Sequence, residues 1–173
     1  SGSGLAATYP DLASAVTALN AATISSPVTI TLTASETAPA GGYAITAQGS
    51  AANTIIIDGG GFTLTANGAH TVGALNDAII KLVGADFVTL QNFIMQENAA
   101  NTVTAAATNT LTEFGVALMY ATTTNGASSN TIQNNTISLI RTYQNTFGIY
   151  SNSTHSSTSI STSATATGVA GAN

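Results

Sequence analysis

The 173-residue chain contains no cysteine and only two cationic side chains, Lys81 and Arg141. Without cysteine it has no disulfide framework and no thiolate metal site. Nucleic-acid binding depends on phosphate neutralisation by Lys and Arg, so a chain with a formal net charge of −5 is not expected to bind nucleic acid. The same shortage argues against anionic membranes, and no apolar run approaches the roughly 20 residues that span a bilayer. We therefore expect neither a nucleic-acid partner nor membrane insertion.

Charged residues make up 5 % of the chain, whereas about 25 % is usual. Thr, Ser, Asn, Gln and Ala must therefore form the surface. Disorder is the first alternative, but residues 28–150 are rich in the Ile, Val, Leu and aromatic residues that disordered chains lack. A trypsin-like protease would find only two sites, which favours an extracellular or cell-surface location. No signal peptide is evident, and the first four residues, Ser-Gly-Ser-Gly, indicate a linker or a flexible start.

Two short phrases occur twice. The phrase at residues 87–95 returns at residues 130–137, where Leu-Gln-Asn is matched by Ile-Gln-Asn. The phrase at residues 114–120, Phe-Gly-Val-Ala-Leu-Met-Tyr, returns at residues 147–152 as Phe-Gly-Ile-Tyr-Ser-Asn. Repeats at a separation of roughly 30 to 40 residues are typical of solenoids. Because each copy alternates apolar and polar residues and is broken by Asn or Gly, each predicts a strand with a tight corner.

One amphipathic helix is predicted at residues 9–20. Asp11 is its expected N-cap, and Leu12, Val16 and Leu19 share one face at i, i+4 and i+7. A helix of two to three turns is too short to be stable alone in water. We therefore expect its apolar face to cover the first coil of a solenoid.

From residue 27 the hydrophobic period changes to two, which predicts strands. Beyond the repeated phrases, the predicted strands are at 28–32, 43–47, 54–58, 62–65 and 78–83, with a loop at 36–42 and excursions at 99–112 and 122–129. The predicted organisation is a flexible start at 1–8, a capping helix at 9–20, a β-helix at 21–152 and a Ser/Thr/Ala-rich extended tail at 153–173.

The chain resembles right-handed parallel β-helix modules, of the pectate-lyase-like type, found in large secreted bacterial surface and adhesin proteins. The resemblance covers about residues 8–152 and is carried by the helix start, the Gly59–Gly61 corner, and the phrases at 84–90, 132–137 and 147–150. It implies an all-β fold, a β-solenoid of about five coils with a short N-terminal capping α-helix. The fold serves lyases, hydrolases, adhesins and inert stalks alike, so it does not decide function.

Polysaccharide-degrading members of this class use clustered acids, and sugar hydrolysis needs two carboxylates held several ångströms apart. The seven acidic residues form no Asp-Asp or Asn-x-Asp pair. Asp58 and Asp86 lie beside glycine and are interpreted as turn formers. Asp77 could approach Asp58 across coils.

Other candidate groups are equally isolated. Lys81 alternates with Ile80 and Leu82, so it is expected to point outward and to pair with an acid on a neighbouring coil. His70 and His155 are far apart, with no acid at metal-ligand spacing. No set of nucleophile, base and orienting group is found. We therefore expect a non-catalytic protein with no cofactor and no metal.

Two binding functions remain as alternatives. Tyr120, Tyr143 and Tyr150 would offer stacking surfaces for surface glycans if they shared one outer face, in a carbohydrate-binding or carbohydrate-cleaving module. Thr-x-Thr pairs would suit an ice-binding β-solenoid, although Thr is also the favoured exposed residue of strands. These pairs are Thr29/Thr31, Thr63/Thr65, Thr102/Thr104 and Thr165/Thr167.

The leading hypothesis is a structural protein that assembles head to tail with copies of itself. A solenoid has an open sheet edge at each end, and an unprotected edge is a template for another chain. The helix can cover the N-terminal edge, whereas the uncharged alternating segment at 159–167 could add as a strand to a partner. The candidate assembly residues are Leu12, Val16, Leu19, Ile160 and Val169.

Overall fold

The computed structural model describes residues 3–68, 70, 77–105, 108–122, 124–142 and 146–156, the last five as backbone only. Within them are one helix, α1, and twelve strands. Helix α1 spans Leu12–Ala21, and the first six strands are β1 Val28–Thr31, β2 Glu36–Thr37, β3 Tyr43–Ile45, β4 Ile55–Asp58, β5 Thr63–Thr65 and β6 Ala78–Val83. The other six are β7 Val88–Gln91, β8 Ile94–Gln96, β9 Phe114–Tyr120, β10 Thr131–Gln133, β11 Thr136–Ser138 and β12 Phe147–Ser156.

The strands form three parallel sheets, each with four strands. The first sheet has the order β1-β4-β7-β10, the second β2-β5-β8-β11 and the third β3-β6-β9-β12. The chain visits the three sheets in turn, so each coil contributes one strand to each sheet, an arrangement compatible with a parallel β-helix. The prediction of an all-β fold is confirmed at this level.

The described residues complete four coils and not the expected five. Paired residues in the first sheet lie 27, 33 and 42 positions apart, as from Val28 to Ile55, from Ile55 to Val88 and from Thr89 to Thr131. The spacing grows in the first sheet but not in the third, where paired residues lie 37, 36 and 33 positions apart, as from Tyr43 to Ile80, from Ile80 to Val116 and from Phe114 to Phe147. Because each of these spacings is 27 residues or more, the described residues hold four coils.

The repeated phrases are strands stacked on one another. Leu90 pairs with Ile132, and Phe114 pairs with Phe147. Glycine recurs in the second phrase because the coils approach closely there. A Cβ added at Gly115 would lie 2.6 Å from the carbonyl oxygen of Gly148 and 2.6 Å from Ile137 Cγ2.

Asparagine turns the corner between the first and second sheets, as predicted. Asn92 and Asn134 have φ angles of 59° and 53°, in the left-handed region that Asn tolerates better than most residues. Asn135 extends to the preceding coil, where its Nδ2 donates to the Leu90 carbonyl at 3.0 Å and its Oδ1 accepts from the Phe93 amide at 2.9 Å. These bonds tie each corner to the one below it.

The core lies inside the coils and is capped at one end by α1. Its largest fully buried side chains include Ile55, Ile57, Leu64, Ile80, Leu82, Leu90, Phe93 and Met95. The predicted helix face is confirmed, since Leu12, Val16 and Leu19 are buried in the same core cluster. Asp11 is the N-cap, with Oδ1 accepting from the Ser14 amide at 2.7 Å.

Two local predictions are corrected. Glu36 and Thr37 were expected in a loop but form β2, which pairs with Leu64 and Thr65 of β5; a two-residue strand gives no readable alternation. Lys81 takes the outward position between Ile80 and Leu82, but it is only 6 % exposed.

The outer face of the third sheet is covered, which explains the burial of Lys81. Val83, Ala117 and Met119 on the outward side join Ala78 and Phe114, at the starts of β6 and β9, in a second apolar cluster separate from the core. In the part of the chain described, no helix is both long and apolar enough to cross a membrane.

Candidate assembly ends and a buried polar cluster

The last coil leaves apolar surface uncovered. Strands β10, β11 and β12 each have a single strand partner within the described residues, on the side of the third coil. Phe147 is 44 % exposed and Ile149 is 51 % exposed, whereas Val116, which pairs with Ile149 one coil below, is 0 % exposed. The same inward side-chain position is therefore buried within the stack of coils and exposed to solvent at its end.

The opposite end is partly closed by the helix. Asn20 Nδ2 donates to the Ala44 carbonyl at 2.7 Å, and Asn20 Oδ1 accepts from the Thr46 amide at 2.8 Å. One side chain thus bonds the Ala44 carbonyl in β3 and the amide of Thr46 just after it, both at the free edge of the sheet. The edge of the third sheet is blocked as a template for another strand.

Glu36 closes the second sheet in a similar way. Both of its carboxylate oxygens accept from the Leu12 amide at 3.1 Å, at the start of α1, and Oε2 also accepts from the Tyr43 hydroxyl at 3.1 Å. Burial, and then the nearby charge of Glu36, raise the pKa of the Tyr43 phenol. The helix start is therefore fixed above β2.

The first sheet remains open, along a groove that we call the β1 groove. It has a volume of about 200 Å³ and is lined by residues 5–12 on one side and by residues 28–34 on the other, with Ala15 and Glu36. The Val28 and Leu32 amides donate to carbonyls of the second coil at 2.9 and 2.8 Å. In a parallel ladder the intervening Thr29 and Thr31 then direct their backbone groups to the other side, where no described residue pairs with them.

The structure locates only three of the predicted assembly residues. Leu12, Val16 and Leu19 are buried on the core-facing side of α1. They can therefore affect assembly only by holding the helix in place on the first coil. Ile160 and Val169 lie outside the described residues, and the assembly role of all five stays a prediction.

The predicted glycan-stacking tyrosines do not form one open surface among the described residues. The Tyr150 ring stacks on Phe114 with centroids 4.5 Å apart and lies 5.7 Å from Phe147. Tyr120, at the end of β9, is half-buried, and Tyr143 lies outside the described residues. Stacking of sugar rings on these residues stays a prediction.

The Thr-x-Thr pairs also separate. Thr29 and Thr31 belong to the first sheet, whereas Thr63 and Thr65 belong to the second. The pair at 102 and 104 lies in a loop, and the pair at 165 and 167 lies outside the described residues. An ice-binding surface would need such pairs on one flat face.

Between the second and third sheets lies a buried polar cluster that sequence reasoning missed. His70 Nδ1 lies 3.3 Å from Asp77 Oδ1, and His70 Nε2 lies 2.9 Å from Thr112 Oγ1. The Thr112 hydroxyl in turn donates to Glu97 Oε1 at 2.7 Å, and the Thr112 amide donates to Glu97 Oε2 at 3.1 Å. The signal was available: His70 and Thr112 are 42 residues apart, the same spacing that separates Leu90 and Ile132 in the two copies of the first repeated phrase.

Glu113 forms the second half of the cluster and is 0 % exposed. Its Oε2 accepts from the Asp77 amide at 3.1 Å, and its Oε1 accepts from Asn109 Nδ2. Burial, and then the charge of Asp77, raise the pKa of the Glu113 carboxyl to about 8. Burial lowers the pKa of Lys81, against the opposing charges of Asp77 and Glu113.

Asp77, His70 and Thr112 have the order of an acid, an imidazole and a hydroxyl that nucleophilic catalysis uses. The Thr112 side chain is 0 % exposed, and its hydroxyl proton points to Glu97, so no substrate reaches it in this conformation. Asp77 does not meet Asp58 as predicted; Asp58 instead accepts from Gln91 Nε2 at 2.7 Å. The cluster fastens the two ends of the loop between β8 and β9, at Glu97 and at residues 109–113, onto the coil below.

No group of three His, Asp or Glu side chains in the described part of the chain is arranged to hold a metal ion. Comparisons with protein-family models, with curated proteins and with solved structures find no match for this chain. The geometry of the two ends and of the buried cluster is therefore the basis for the functional argument.

Proposed function

We propose that this chain is a non-catalytic extracellular structural module, a right-handed parallel β-helix that stacks head to tail with copies of itself into a fibre or stalk on the cell surface. The observation that carries the proposal is the last coil that the structure describes, whose three strands have no partner on their outer side among the described residues and whose Phe147 and Ile149 are about half exposed. Such an edge favours pairing with another chain unless charge, proline or a covering element prevents it.

None of these protective devices is found on the described strands of the last coil. Strands β10 and β11 consist of Thr, Ile, Gln and Ser, and β12 begins Phe-Gly-Ile-Tyr. Arg141 is the one charged residue in the described segments from 124 to 156. This end therefore contributes little electrostatic repulsion to a contact with another copy.

The N-terminal end offers a complementary surface. The side of α1 that faces away from the core carries Ser14, Thr17, Ala18 and Ala21, which are small, uncharged and at least partly exposed. Phe147 and Ile149 of one copy would lie against this surface of the next. Completing the burial of each would contribute about 1 kcal/mol, since fully burying such a side chain contributes roughly 1.5–3 kcal/mol.

The test is electron microscopy of the concentrated full chain, together with two matched variants. Ile149→Asp places a charge on the open end, whereas Ile94→Asp places one at a 39 % exposed site on the side of the stack. We expect fibres from the wild type and from Ile94→Asp and none from Ile149→Asp. A wild type that stays monomeric, or fibres that persist in Ile149→Asp, would contradict the proposal.

The alternatives from other classes predict different results. A carbohydrate-binding or carbohydrate-cleaving module would bind glycans as a monomer and lose binding in Tyr150→Ala. An ice-binding module would shape ice crystals without forming fibres. Neither has a dedicated surface among the described residues, so both rank below assembly.

A further inference from the structure

We propose that the β1 groove receives residues 159–167 of a second copy as an added parallel strand. This inference rests on the proposed head-to-tail assembly and names the segment that joins one copy to the next. It also assigns a binding site to the N-terminal end.

At the N-terminal end, the first sheet offers the longest open edge. Asn20 occupies the edge of β3, and Glu36 fixes the start of α1 above the two residues of β2. The four-residue strand β1 leaves its outward backbone groups, those of Thr29 and Thr31, without a partner among the described residues. An extended peptide that adds to such an edge gains main-chain hydrogen bonds along its length.

The size of the groove favours a strand with small side chains. Its volume of about 200 Å³ is below the roughly 300–1,000 Å³ of pockets that enclose small-molecule ligands. The wall opposite β1 is the chain segment that leads into α1, including Leu5 and Ala7. On the β1 side of the groove, Ile30 is partly exposed. A row of small, partly apolar side chains would fill this space.

Residues 159–167 have the matching pattern. Ile160, Thr162, Ala164 and Ala166 alternate with Ser and Thr at the odd positions, as Val28 and Ile30 alternate with threonines in β1. The even-numbered side chains would enter the groove, and the odd-numbered ones would continue the outward row of Thr29 and Thr31. The segment carries no charge, so it is not repelled by the acidic residues at the groove.

The distance favours a second copy over the same chain. A strand added below β1 lies four strand spacings from the fourth coil, about 19 Å at the usual 4.7–4.9 Å spacing. Two residues lie between Ser156, at the end of β12, and residue 159, so the three Cα–Cα steps span at most about 11 Å. In a stack, the β1 groove of the next copy lies next to the fourth coil, within that reach.

Disulfide cross-linking of the full chain tests the contact, because the wild type has no cysteine. Thr31→Cys is mixed separately with Ser161→Cys, Ser163→Cys, Thr162→Cys and Ala164→Cys, and dimers are counted on non-reducing gels. Neighbouring strands hold Cα atoms at a distance that a disulfide can bridge. Because side chains alternate with a period of two, we expect at least about fivefold more dimer with one of the odd positions than with either even position.

Thr46→Cys is the matched control, since Thr46 is exposed at the same end but at the edge that Asn20 blocks. It should give no more dimer than the even positions. If the chain forms fibres but Thr31→Cys gives no more dimer with the odd positions than with the even ones, the strand addition is wrong and the proposed head-to-tail assembly still stands. A variant that carries both Thr31→Cys and the best odd-position cysteine tests whether the contact joins two chains. A disulfide formed only within single chains of this variant would overturn the intermolecular contact. Dimers with the expected alternation but no fibres would support the contact and contradict the fibre.

Discussion

The buried Glu113 makes the stability of this protein depend on pH in a way that is unusual for an acid. Its pKa lies near 8 in the folded chain, whereas its ordinary value is 4.5. Below pH 4.5 the carboxyl is protonated in both states, and no penalty arises. Between these values the unfolded chain releases the proton and the folded chain keeps it, so the free energy of unfolding falls as pH rises.

The magnitude follows from the same two values. Each pH unit in this window removes about 1.4 kcal/mol, so the whole window removes at most about 5 kcal/mol. Above about pH 8 the carboxyl is ionised in both states, and the loss no longer grows. A loss of this size is a large share of the 5–15 kcal/mol by which domains are usually stable.

The assay is urea unfolding from pH 5 to pH 9, on the wild type and on Glu113→Gln. The variant has no titrating group at this position, so the difference between the two unfolding free energies should change by several kcal/mol across the window, in favour of Glu113→Gln at high pH. Asp58→Asn is the matched control, because hydrogen bonds from Gln91 and Gly60 lower the pKa of Asp58. The difference in unfolding free energy between the wild type and Asp58→Asn should stay constant from pH 5 to pH 9 and change only as pH falls below about 4. A wild type and a Glu113→Gln variant with the same slope between pH 5 and 8 would refute the reasoning.

Three further predictions concern packing and the edge. Gly115→Ala should lower the unfolding free energy by about 1–3 kcal/mol, because the added Cβ collides with the next coil. Gly148→Ala is its control and should leave monomer stability unchanged, because a Cβ at Gly148 meets nothing within 4 Å. Equal effects of the two variants in thermal unfolding would contradict this prediction. Asn20→Ala should cost about 1–3 kcal/mol for its two bonds to the edge of β3 and increase light scattering, while Thr17→Ala on the exposed helix side should do neither. Asn92→Ala should cost about 1–2 kcal/mol at its left-handed φ and Asn92→Gly less, and the reverse order in chemical unfolding would rule out backbone strain as the cause.

Sequence reasoning succeeded where the pattern is local or repeated. Period-two alternation located the strands around Ile55–Asp58 and Ala78–Val83, and the matching of Leu90 with Ile132 gave the register between coils. It failed for β2, which has two residues and exists only because β5 lies beside it. It also failed for the cluster around His70. A contact between two loops 42 residues apart depends on the coil to which each loop belongs and on the path of each loop in space, and neither can be read from a local pattern.

The sequence by itself determined the stacked parallel strands, the capping helix and the uncharged surface, because hydrophobic period, N-cap chemistry and composition act within a few residues or recur from coil to coil. Tertiary structure alone decided which edges stay open. Asn20 blocks β3 and Glu36 holds the helix above β2, while β1 is left free beside a groove. Tertiary structure also decided that Lys81 and Glu113 are buried, since burial depends on which residues cover the outer face of the third sheet. The pKa of the Glu113 carboxyl follows from that burial and from the charge of Asp77 beside it.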